Sequence, residues 1–138
     1  MGKDEVLGVH EEGLIRAFIR PERRARLREL LGSAKGRVKL RRALAHFADL
    51  DPRYALPIPP SNHQARDIES ILRSKGAPDT CHVLAEAAEL DGREMKLISA
   101  LEAIVGRGMG ALVSCVPGKL GYFEAEGPKE RYVLERTV

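Results

Sequence analysis

Gly110-Ala-Leu-Val-Ser-Cys-Val-Pro-Gly-Lys-Leu-Gly-Tyr-Phe-Glu124 decides the fold class. An apolar run ends in Pro117-Gly118, and a second run, Lys119 to Glu124, leaves it. Two strand-like segments joined by a tight turn of this kind read as a β-hairpin. Downstream, Gly127-Pro128 makes another turn, and Arg131-Tyr-Val-Leu-Glu-Arg136 alternates large apolar and charged residues as a further strand. Upstream, Leu97, Ile98, Leu101, Ile104 and Val105 repeat at helical spacing and Gly106 stops them. Asp91-Gly-Arg-Glu94 fits a capping box for this helix, with Asp in the place more often held by Ser or Thr. Before it, Thr80-Cys-His-Val-Leu-Ala-Glu86 reads as a strand. The C-terminal half is thus β-α-β-β-β.

The N-terminal third has another character. Leu14, Ile15, Phe18 and Ile19 share one helical face, and Pro21 ends that helix while suiting the first turn of the next. Leu27, Leu30 and Leu31 form the apolar face of the second helix, which Gly32 terminates. A third, from about Ser33 or Lys35 to Ala48, buries Leu40, Ala43, Leu44 and Phe47. Four prolines between Pro52 and Pro60 forbid helix and favour an extended path, and Leu56 and Ile58 mark it as a strap laid on the core. A helix from about His63 to Lys75 then presents Ala65, Ile68, Ile71 and Leu72 inward.

The expected class is α+β: N-terminal helices, then a β-α-β-β-β unit forming one small mixed sheet packed by helices. One domain spans 1–138, with a basic helical part (1–48), a Pro-rich strap (49–62) and an α/β part (63–138). At 138 residues, with 43% hydrophobic and 31% charged residues, the chain is long enough to bury a core and is neither disordered nor disulfide-scaffolded in profile. No apolar stretch approaches the roughly 20 residues of a membrane span. Two cysteines, 34 positions apart and outside any CxxC motif, fit reduced thiols, so a cytoplasmic location without membrane association is expected.

Charge is the least generic feature. From Arg16 to Arg42 there are eleven Lys/Arg against two acids, Glu22 and Glu29, whereas the whole chain carries only +3. Lys35, Lys39, Arg42 and His46 fall on one face of the third helix. Together with Arg23, Arg24, Arg37 and Arg41 they make a candidate cationic binding surface for nucleic acid or an acidic protein. Aromatic residues are only 4%, with no Trp, so backbone contact is favoured over base stacking.

Other constellations point to chemistry with less specificity. Cys81, His82, Cys115 and His63 would form a thiol–imidazole or zinc set if neighbouring strands brought them together. His46, Asp49 and Asp51 hold donors suited to a divalent cation. These two groups carry the alternative of a small enzyme or metal protein. Tyr122, Phe123 and Tyr132, on an open sheet, carry that of a protein–protein scaffold able to oligomerise through the sheet. Gly106-Arg-Gly-Met-Gly110 follows a helix and opens a strand, the reverse of a dinucleotide fingerprint, and Gly118-Lys119 lacks the rest of a P-loop. No cofactor is called for.

Overall fold

The computed structural model describes residues 7–127 and 130–136, so half of the expected Gly127-Pro128 turn lies outside the described residues. Five α-helices occur among them: α1 (Val9–Phe18), α2 (Arg24–Leu31), α3 (Ala34–Ala43), α4 (Ala65–Ser74) and α5 (Leu97–Ile104). Six strands accompany them: β1 (Ala55–Pro57), β2 (Thr80–Ala85), β3 (Glu94–Lys96), β4 (Ala111–Val116), β5 (Leu120–Glu124) and β6 (Arg131–Glu135). They form one open sheet in the order β1-β6-β5-β4-β2-β3. The class is α+β, as the sequence implies.

Every pairing is antiparallel, which corrects the expected mixed sheet. The cause is β3. The expected helix beginning near Asp91 starts instead at Leu97, because residues 91–96 are tied back to β2. The Asp91 carboxylate accepts from the Ala85 N–H at 3.1 Å instead of capping a helix. Gly92 takes a left-handed φ of +77° and donates to the Val83 carbonyl at 2.7 Å. This hairpin reverses the chain before α5, so β4 returns antiparallel to β2 with no parallel crossover.

Alternation along the strands divides the core between two faces. Cys81, Val83, Val113, Cys115, Tyr122 and Val133 face α4 and α5, where Ile68, Leu72, Leu97, Leu101 and Ile104 are fully buried. Leu84, Leu112, Phe123 and Leu134 face the N-terminal helices, which contribute Leu14, Ile15, Phe18, Leu27, Leu31, Leu40 and Leu44. Each such leucine contributes about 1.5–3 kcal/mol through burial. Helices therefore cover both sides of the sheet.

Local chemistry sets the helix ends. Pro21 opens a 3₁₀ turn leading into α2, and Gly32 follows its last residue. Ser33 is extended and its Oγ accepts from the Gly36 N–H at 3.0 Å, capping α3. α3 is shorter than expected: it stops at Ala43, and Leu44–His46 continue as a 3₁₀ turn that leaves Ala43 exposed. In the Pro-rich segment, β1 pairs with β6 and the buried Ile58 donates to the Arg131 carbonyl at 2.9 Å. Leu56 of the same segment is 44% exposed, so of the two apolar residues read as the strap only Ile58 meets the core, joined from the same segment by the partly buried Leu50, Tyr54 and Ala55.

Candidate functional site

The basic residues of the N-terminal helices separate into two groups. Arg37 is the most heavily engaged. On α3 it makes a two-pronged contact with Glu11 of α1, Nη1 to Oε1 at 2.8 Å and Nη2 to Oε2 at 2.9 Å, and lies 3.5 Å from Asp91 Oδ2. The remaining acceptor capacity of Glu11 is used by His82 of β2, whose Nε2 donates to Oε2 at 2.8 Å. Burial opposes charge on Glu11, but the hydrogen bonds from His82 and Arg37 outweigh it and bring its pKa down to about 2. His10 stacks parallel to His82, ring centres 5.7 Å apart, and its Nδ1 meets Ser114 Oγ at 2.7 Å. Burial, and then the neighbouring His82, lower the His10 pKa, with Glu94 opposing.

Arg23 pairs with Asp49 at 3.2 Å, and His46 with Glu126 at 3.2 Å. Arg24 donates through Nε to the Ile19 carbonyl at 3.1 Å. In contrast, Lys35, Lys39, Arg41 and Arg42 form no ion pair with any described residue. Lys35, Lys39 and Arg42 are exposed, and their spacing sets them along one face of α3. Arg41 is half-buried, its Nε without a hydrogen-bond partner among the described residues. Lys39 also lines a groove of about 320 Å³ between α2 and α3, beside Arg23, Arg26 and His46, with Asp49 as its acid. Of the eight residues read from sequence as a cationic surface, five thus stay free of carboxylates: these four and Arg24, which is held by a backbone carbonyl.

The thiol–imidazole set does not assemble. Cys81 and Cys115 occupy neighbouring strands on the α4/α5 face, but His82 projects to the α1 face, where Glu11 holds it. Alternation on β2 is the reason: adjacent residues point to opposite sides. His63 donates its ring to the Ile58 carbonyl at 2.6 Å. Burial raises the Cys81 thiol to about 11, with Glu94 adding to it, and raises Cys115 to about 12, with Cys81 adding to it. Neither is poised as a thiolate near neutral pH.

Asp49 and Asp51 are taken up by arginines. Asp51 is buried, and Arg53 clasps it at 2.7 Å while donating its backbone N–H to the same carboxylate. His46 reaches Glu126 instead, so the three residues read as cation ligands have separate partners. No group of three metal-competent side chains occurs among the described residues. The aromatic surface is also corrected: Tyr122 and Phe123 are buried, and only Tyr132 is partly exposed. Tyr122 donates to the buried Glu124 at 2.7 Å. Burial raises the Glu124 pKa against that hydrogen bond, a second from the Gly106 N–H, and the nearby charge of Arg131.

Compared with known proteins, the chain matches no family model, no curated protein and no solved structure. No helix among the described residues is long and apolar enough to cross a membrane.

Proposed function

We propose that this protein is a non-catalytic binding module whose α3 surface takes the phosphate backbone of duplex nucleic acid. The supporting observation is the set Lys35, Lys39 and Arg42, exposed at helical spacing with no carboxylate partner among the described residues. Cations that neutralise phosphates release counterions, giving affinity that is independent of sequence and sensitive to salt. The neighbouring α2–α3 groove adds Arg23, Arg26 and His46, each already paired with a carboxylate, so the free cations of α3 itself carry the reading. Phe47 is the groove's one aromatic residue, which favours a duplex backbone over stacked single-stranded bases.

The test is fluorescence anisotropy with labelled duplex DNA and duplex RNA at several salt concentrations. The wild-type protein is expected to bind with a log–log salt slope of about −3, from about 0.9 per neutralised phosphate. The variant Lys35→Ala/Lys39→Ala/Arg42→Ala is expected to lose at least about tenfold in affinity and most of that slope. Its stability should stay within about 0.5 kcal/mol per site, because these are exposed side chains without partners. Absent or salt-independent wild-type binding rejects nucleic acid as the partner.

A further inference from the structure

A second concentration of positive charge lies away from the exposed α3 face. A cleft of about 320 Å³ opens where the C-terminal half of α1, the start of α2, the β4–β5 turn and the residue after β6 meet. Arg16, Arg24, Lys119 and Arg136 line it, with Ala17, Pro117 and Gly118 completing the wall. None of these is an acid.

The four cations are brought together by backbone packing. Gly13 allows α1 to settle on the turn: a β-carbon there would stand 2.6 Å from the Gly118 nitrogen. The same approach lays the Arg16 guanidinium against Gly118, whose left-handed φ of +72° favours glycine. Arg136 is oriented from two sides, donating through Nη1 to the Ala17 carbonyl at 3.2 Å and lying 4.5 Å over the Tyr54 ring. Its backbone N–H reaches the Lys119 carbonyl at 2.9 Å, tying the end of the sheet to the turn. Arg24 is fixed by the Ile19 carbonyl.

Nearby carboxylates are committed elsewhere. Glu12, within Coulomb range of Arg16, is gripped by Arg28 through three contacts of 2.6–3.0 Å. Glu135 pairs with Lys75 at 2.9 Å, and Asp51 with Arg53. The four cations share one cleft and none forms an ion pair with a described carboxylate, so an anion in the cleft would offset the repulsion among them. Arginines with oriented forks suit a tetrahedral oxyanion.

We infer that this cleft is a binding site for a terminal, doubly charged phosphoryl group of a small molecule, held by Arg16, Arg24, Lys119 and Arg136. It does not depend on the nucleic-acid reading, which rests on α3. Its size admits a phosphoryl group with a short appendage, and its walls provide cations without a stacking surface for a base.

The experiment titrates the full chain with inorganic phosphate and with pyrophosphate at fixed ionic strength set by chloride, following backbone amide shifts of Gly118 and Lys119 and the melting temperature. Saturable shifts at these amides, and a melting-temperature rise that follows ligand concentration, are expected from the wild type. Arg16→Gln/Lys119→Gln removes two cations that make no side-chain hydrogen bond among the described residues, so the fold should survive, as circular dichroism would show. At least about a tenfold weaker apparent affinity is expected from it, while Lys35→Ala/Lys39→Ala leaves phosphate binding unchanged. Non-saturable shifts, or equal responses from Arg16→Gln/Lys119→Gln and wild type, would overturn the site. Loss of duplex and phosphate binding together in Arg16→Gln/Lys119→Gln would also overturn it, since the cleft would then be part of a nucleic-acid surface.

Discussion

Helix α3 carries cations with two different fates. Arg37 turns toward α1 and the sheet, where Glu11, itself bonded to His82, and Asp91 hold it, while Lys35 and Lys39, two residues to either side, stand in solvent without acids. The same density of basic residues therefore provides internal cross-linking on one side of the helix and surface potential on the other. Charge segregation along a chain thus marks a surplus of one sign without telling which members remain available. Partners distant in sequence make that selection after folding.

Removing the acid that separates the two groups of cations should have the largest effect. Glu11→Gln leaves Arg37 and His82 partly buried around a neutral amide, and a loss of about 3 kcal/mol in urea unfolding is expected. The pH dependence has a definite sign. The folded pKa of Glu11 is about 2, below its ordinary value near 4.5, so the carboxylate stabilises the fold above that ordinary value and loses the contribution as pH falls toward 2. The stability gap between wild type and Glu11→Gln should therefore be full at pH 6–7 and close progressively below about pH 4.5. A gap that stays constant down to pH 3 would show that Glu11 acts by shape and not by charge.

The helices and the central hairpin were legible because burial has a period. Leu14, Ile15 and Phe18, or Leu97, Leu101 and Ile104, repeat where one face meets a core, and Pro117-Gly118 turns where the chain must reverse. β3 was illegible because Glu94-Met95-Lys96 is a short edge strand with two exposed residues, and Asp91 imitates a helix cap although its carboxylate serves the Ala85 N–H. β1 was hidden by Pro57 and by the prolines that flank it. The Glu11–Arg37–Asp91 cluster joins residues 26 and 54 positions apart, and no local pattern encodes such a pairing. His10-Glu11 stood in the sequence as an imidazole beside a carboxylate, the one cue to that cluster. The cleft of Arg16, Lys119 and Arg136 depends on Gly13 packing against Gly118, a tertiary contact without a sequence signature.

A smaller effect would come from disturbing how α3 is carried. Gly36 lies in its first turns, where alanine ordinarily favours a helix by about 1 kcal/mol. Here a β-carbon would fall on the backbone of Leu30 in α2, so the sign should invert. Gly36→Ala is expected to lower stability by about 1–3 kcal/mol, the usual cost of overpacking, read as a fall in the urea midpoint with unchanged slope. Because both groups of cations ride on this helix, the variant should weaken the Arg37 contacts and duplex binding together. Lys35→Ala/Lys39→Ala/Arg42→Ala should affect binding alone. A neutral or stabilising Gly36→Ala would mean that α2 and α3 are less closely seated.

The smallest expected effect is also the sharpest test of availability. Arg26 lies between the two groups, exposed in the α2–α3 groove beside Lys39 yet paired with Glu29 three positions along the same helix. Exposed pairs of this kind contribute well under 1 kcal/mol, so Glu29→Ala should leave the urea midpoint almost unmoved. It frees one guanidinium on the proposed binding side. If carboxylate-free cations carry the affinity, Glu29→Ala should bind duplex about two- to threefold more tightly and steepen the salt slope by about 0.9, one further phosphate contact. Arg26→Ala, which removes a cation already neutralised, should change affinity by less than twofold. Equal losses from Arg26→Ala and Lys39→Ala would show that an intrahelical partner does not withdraw a cation from binding. The division drawn along α3 would then hold only for Arg37, where two-pronged geometry and burial fix the side chain in place.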